Sequence, residues 1–178
     1  MIDRARGRLF DDPDQVPRID SLRELVTAES ECQRCSLFKN ATQPVPGEGR
    51  RQAHLMLVGE QPGDKEDLAG RPFVGPAGRV LDRALEEAGI VRADVFVTNA
   101  VKHFKHEVRG KRRLHKRPNT YEIERCKVWL EVERAIIKPT AIVALGATAA
   151  RSVFGRTLTI SPRRAAARSS LPMGPPHS

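Results

Sequence analysis

The chain lacks any apolar run near the ~20 residues that a membrane-spanning helix needs. Its N-terminal stretch also lacks the apolar core of a secretory leader, so the cytosol or the nucleoid is the expected place. Cysteine is scarce. Three cysteines in a cytosolic chain argue against a disulfide framework and for metal binding or catalysis. The lysine pattern of a phosphate-cradling P-loop is absent. Acid is outnumbered, with 22 Asp and Glu against 31 Lys and Arg and a net charge of +9. That balance suggests a polyanionic partner. Aromatics make up 4% of the 178 residues, which leaves Phe73 alone in the polar stretch described below.

What is present fits one domain, with 39% apolar residues to build a core. Residues 1–18 mix Arg, Asp and Pro without period and are expected to form a mobile arm. The domain is expected over 19–158. Residues 159–178 read as a disordered basic tail punctuated by proline. Within the domain, helices are predicted over 20–29, 77–88, 120–137 and from Gly146 to about Phe154. Strands are predicted over 55–58, 95–100 and 141–145. This alternation predicts an α/β fold, a three-layer α/β/α domain whose central sheet is mainly parallel. Residues 39–53 and the basic segment 102–118 read as loops.

The chain is organised around Val58 to Gly78. A short apolar strand ends at Val58, Gly59 and Pro62-Gly63 force a turn, and Pro76-Ala77-Gly78 opens a helix. In open α/β sheets ligands bind beyond the carboxyl ends of the strands. The residues placed there include Glu60, Gln61, Asp64, Glu66, Asp67 and Phe73. Carboxylates, an amide and one aromatic plate suit a polar ring.

Cys32-Gln33-Arg34-Cys35 has metal-ligand spacing, and Cys126 is a distant third thiol. His103 is the favoured fourth ligand, with His106 and His115 as rivals. Spacing alone does not choose between zinc and an iron–sulfur cluster. Between Lys102 and Arg117 stand eight Lys or Arg and one acid, Glu107. Lys111, Arg112, Arg113 and Lys116 form a segment suited to a phosphate backbone. His115 sits among these cations, where neighbouring positive charge favours a neutral, nucleophilic imidazole.

Together these pieces resemble the uracil-DNA glycosylase superfamily, in its iron–sulfur, family 4-like branch and specifically the X-type members. The resemblance rests on Gly59-Glu60-Gln61-Pro62-Gly63-Asp64, on Gly70 to Gly78, on Thr98 to Lys105, and on Gly110-Lys111-Arg112-Arg113-Leu114-His115-Lys116. It implies a [4Fe-4S] cluster held by Cys32, Cys35, His103 and Cys126. It implies excision of a flipped uracil from DNA, with single strands preferred and the protein acting as a monomer. Phe73 would stack on the base, Asn99 would read its polar edge, and groups around Gln61 would add contacts. Glu60 or Asp64 would stabilise positive charge at C1′ or orient a water. His115 would capture C1′ and join the protein covalently to the abasic sugar. The family's second motif, a His-Pro-Ser-type loop, is missing, so a chain truncated at its C-terminus is expected. Two alternatives follow: an inactive iron–sulfur DNA-binding relative, or an ordinary turnover glycosylase.

Overall fold

The computed structural model of this protein describes residues 18–155. The expected basic tail, and all of the expected N-terminal arm but Arg18, lie outside the described residues.

Helix α1 (Leu22–Ser30) begins where the Ser21 hydroxyl accepts the Glu24 N–H at 3.2 Å. Three strands then build the parallel part of the sheet: β2 (Leu55–Gly59), β3 (Val95–Asn99) and β6 (Ala141–Ala144). A two-residue strand β1 (Glu48–Gly49) adds to β3 in the antiparallel sense, giving the order β1-β3-β2-β6. The register pairs Leu55 with Val95 and Gly59 with Asn99, so β2 and β3 end level with each other.

The side-chain period of two sorts the strands onto two faces. Leu57, Val95 and Val97 pack with Leu81 and Leu85 of α3 (Pro76–Glu87). Met56, Val58 and Phe96 pack on the other face with Leu130 and Ile137 of α4 (Thr120–Ile137) and Ala149 of α5 (Ala147–Phe154). The three-layer α/β/α expectation is met. Helix α4 is fixed at its start by a reciprocal cap. Asn119 Oδ1 accepts the Glu122 N–H at 2.9 Å, and Glu122 Oε2 accepts the Asn119 N–H at 2.7 Å. Its buried face carries Cys126 and Trp129, which join Leu25 of α1 and Cys32, Cys35 and Leu37 in a further core cluster.

The structure corrects the sequence reading in three places. Residues 64–69 form a short helix, α2 (Asp64–Ala69), instead of continuing the loop. The tail of the 39–53 loop supplies β1. The basic segment is folded: β4 (His106–Arg109) and β5 (Arg112–His115) pair as an antiparallel hairpin. Its two-residue turn has Gly110 at φ +60° followed by a residue outside the left-handed region, the type II′ pattern that glycine permits.

The core also holds charge. Glu29, Lys102 and Glu133 are all buried. Both carboxylate oxygens of Glu29 lack a hydrogen-bond partner, and burial pushes this carboxyl up to about 8. A carboxyl raised in the folded state contributes stability that is complete below its unfolded value near 4.5 and is lost as pH rises towards 8. Glu29→Gln removes that proton linkage. Denaturant midpoints from pH 5 to 8 are expected to show the variant gaining on the wild type as pH rises. A constant gap across that range would contradict the assignment.

Candidate active site

Beyond the level ends of β2 and β3 the chain makes a cavity of about 450 Å³. Its lining includes Gln61, Asp64, Phe73, Asn99 and His115. A larger cavity of about 750 Å³ lies at the opposite, amino end of the strands and gathers none of the predicted site residues. The smaller one is the candidate site, within the size range of ordinary ligand pockets.

Its floor depends on Gly59. A side chain there would collide with the Asn99 amide oxygen and come within 2.8 Å of the Phe73 ring. Glycine at that point lets the amide and the aromatic plate meet over bare backbone. Phe73 itself sits at φ +57°, a left-handed conformation that non-glycine residues rarely hold. Two contacts maintain it. Gly78, in the first turn of α3, lets the Phe73 carbonyl approach where a Cβ would collide. The buried Glu66 carboxylate closes the loop by accepting the Gly63 N–H at 3.2 Å and the Gly75 N–H at 2.8 Å.

The opposite wall is the hairpin, and three anchors hold it. Gln61 grips its base: its amide nitrogen donates to the carbonyls of Lys105 and Lys116, and its amide oxygen accepts the Lys105 N–H, at 3.0 to 3.1 Å. Arg113 reaches down to α2, donating to Asp64 and to the fully buried Asp67 at 2.6 Å each. Phe104, also buried, lies beneath as a platform. His106 stacks on it at 4.9 Å between ring centres, and the Arg113 guanidinium lies 5.6 Å from its ring. These anchors set His115, the last residue of β5, at the cavity. Its Nε2 lies 3.4 Å from Glu60 Oε1, while Glu60 Oε2 accepts the Thr148 hydroxyl of α5 at 2.6 Å.

The predicted residues therefore meet, but with some duties exchanged. Asp64 and Arg113 are occupied with each other, where a sugar and a phosphate were the expected partners. The charged partner of His115 is a carboxylate. Lys111 and Arg112 are exposed and line an adjoining groove, and the exposed Lys116 pairs with Glu107 at 2.8 Å. Sequence reasoning missed Phe104, Thr148 and the structural use of Asp67. Only Asp67 left a signal: its spacing of three from Asp64 puts both carboxylates on one helix face.

The four predicted metal ligands, Cys32, Cys35, His103 and Cys126, are all buried. The three thiols share one core cluster. The Trp129 indole N–H donates to Cys32 Sγ and the Lys102 N–H to Cys126 Sγ, both at 3.2 Å, the kind of contact that supports a thiolate. Burial pushes the three thiols up and the His103 imidazole down to about 4, which keeps that imidazole neutral and ligand-ready. Among the described residues no three such side chains already converge on one point. The three thiols suit a soft metal centre in their chemistry, their burial and their common core, and His103 in its chemistry and burial.

The sequence profile of the Uracil DNA glycosylase superfamily matches residues 46–176. The chain is 41% identical over 136 residues to a type-4 uracil-DNA glycosylase of Pyrobaculum aerophilum, covering 76% of this chain and 64% of that protein. It is 41% identical over 131 residues to the type-4 enzyme of Thermotoga maritima, covering 73% and 65%. A type-5 uracil-DNA glycosylase of Thermus thermophilus is 30% identical, with 89% and 76% covered. The chain thus spans just under two thirds of the length of these type-4 relatives.

The anchoring of the hairpin is testable directly. Arg113→Ala leaves a buried carboxylate at Asp67 without its cation, a change expected to cost about 3 kcal/mol. Hydrogen exchange is expected to accelerate over residues 105–116. Arg113→Lys restores one of the two contacts at most, so it is expected to recover only part of the loss. An Arg113→Ala hairpin that exchanges like the wild type would contradict the anchor.

Proposed function

The chain belongs to the uracil DNA glycosylase superfamily, and on that premise we propose that it excises uracil from DNA and stays covalently joined to the abasic sugar through His115. The observation that carries this reading is the meeting of Phe73, Asn99 and His115 at one cavity, with Glu60 against the imidazole. A plate and an amide suit a flipped pyrimidine. The imidazole beside them suits attack on the carbon that the base leaves.

The cavity wall supplies the steps. A flipped uracil stacks on Phe73 and offers its polar edge to Asn99. The bond between C1′ and N1 breaks, and its electron pair leaves with uracil as an anion. Positive charge builds at C1′ and the sugar oxygen, facing the Glu60 carboxylate. The His115 Nε2 proton passes to Glu60, and the freed lone pair forms the new bond to C1′. Held at the cavity by the anchored hairpin, the imidazole has the advantage of position over water. The product carries an imidazole–sugar bond, so each molecule acts once.

Lys111 and Arg112 are the exposed cations that would track the backbone, and a single strand would meet the cavity without unpairing. Cys32, Cys35, His103 and Cys126 would hold a [4Fe-4S] cluster. Its contribution would be structural, tying the Cys32–Cys35 segment, the turn after β3 and α4 together.

The test uses end-labelled single-stranded DNA with one uracil, run on a denaturing gel with and without alkali. A shift that survives heat and detergent and requires uracil is expected. Alkali-sensitive cutting without a shift would identify an ordinary turnover glycosylase. Neither signal from folded, iron-bearing protein would identify a binding module. His115→Ser is expected to abolish the shifted band, and an undiminished band would remove His115 as the nucleophile. His103→Ala or Cys126→Ser is expected to lower bound iron, and unchanged iron content would sink that ligand.

A further inference from the structure

The strongest feature that the site chemistry leaves unused is a buried ammonium. Lys102 is fully buried, and all three of its N–H donors have acceptors. They reach the Thr98 hydroxyl at 2.5 Å, the Asn99 carbonyl at 3.1 Å and Glu133 Oε1 at 2.8 Å. Two of these acceptors lie three and four residues back in the chain, so the side chain folds across the turn that ends β3. Glu133 Oε1 also accepts the Thr98 hydroxyl at 2.9 Å and the Gly47 N–H at 3.0 Å. The carboxylate thus joins α4, β3 and the segment leading into β1.

The turn is pinned group by group. The Ala100 N–H donates to the Gly59 carbonyl at 2.9 Å and the Val101 N–H to the Glu60 carbonyl at 3.0 Å. The Lys102 N–H donates to Cys126 Sγ, and the Lys102 carbonyl accepts the Val45 N–H at 2.8 Å. Asn99 ends its strand, and the Lys102 ammonium holds its carbonyl. Burying an ion pair is costly, and a well-packed apolar pair of similar volume often matches it in stability. An apolar pair would leave the Asn99 carbonyl without the ammonium.

We propose that Lys102, neutralised by Glu133, is a positioning residue for base recognition: its ammonium fixes the turn that presents Asn99 to the cavity. This inference rests on the uracil reading of the site. It needs no change in the charge of any group. The lysine acts through the placement of Asn99, where an error near 1 Å can cost on the order of a hundredfold in rate.

The variant that tests it is Lys102→Met with Glu133→Gln, which removes both charges and leaves an amide for Thr98 and Gly47. In the whole iron-loaded chain it is expected to fold and to capture uracil DNA at least tenfold more slowly in single-turnover assays. In an Asn99→Ala background the same pair is expected to add less than a twofold loss, because its effect passes through Asn99. A folded variant at the wild-type rate overturns the proposal, as does a loss that multiplies with that of Asn99→Ala. If the pair fails to fold, Thr98→Val removes one acceptor of the same ammonium and is read in the same cycle. Amide exchange separates this inference from the reading beneath it. Faster exchange at Ala100 and Val101, with the rest of the sheet unchanged, supports the positioning role even in a protein that takes no uracil. Unaltered exchange there contradicts it. A wild type that takes no uracil sinks the functional reading alone.

Discussion

The site depends on one guanidinium. Arg113 lies on a ribbon dense with like charge, and such a ribbon left to itself repels its own strands and stays solvated. Two carboxylates of α2, one of them fully buried, take the guanidinium at 2.6 Å each and turn the ribbon into a wall of the cavity. Removing such a cation strands a buried anion, so the contact specifies one docking geometry. Gln61 and Phe104 complete the seat from below. Every position argued for His115 follows from this docking, because His115 is the last residue of the ribbon's second strand.

The opposite wall is held by a different device. Phe73 occupies a strained backbone conformation, and strain of this kind persists only where the surroundings over-determine it. Here they do so through the closure of the loop by Glu66 and the missing side chain of Gly78. The floor between the walls is the pair Gly59 and Asn99, set level by the strand register and by the pinned turn behind Asn99. Two walls, both anchored on α2, over a shared floor produce a cavity whose polar groups are already placed before a ligand enters.

The parallel sheet was legible because three short apolar runs alternate with helical periods, and that pattern has few solutions. The cavity was legible because the Gly59 to Gly78 stretch must follow a strand end. The hairpin was not. Its strands are mostly charged or histidine, with Val108 and Leu114 as the apolar members, too few for a period-two signal, and only Gly110 hints at the turn. Helix α2 escaped because six residues are too short for helical periodicity. Arg113 read as a DNA contact because charge in sequence says nothing about its partner. Its carboxylates lie 46 and 49 residues away. Glu60 and His115 were each singled out, but their approach required the hairpin fold and the Thr148 hydroxyl of a distant helix.

The proposed capture of C1′ by His115 is the step on which this function turns. It is tested most directly by digesting the protein after reaction with a uracil oligonucleotide and mapping the linkage by mass spectrometry. One modified peptide is expected, carrying the sugar remnant on His115 and formed without a reducing agent. A remnant on a lysine, trapped only when a reducing agent is added, or no modified peptide from DNA that has lost its uracil, would contradict it.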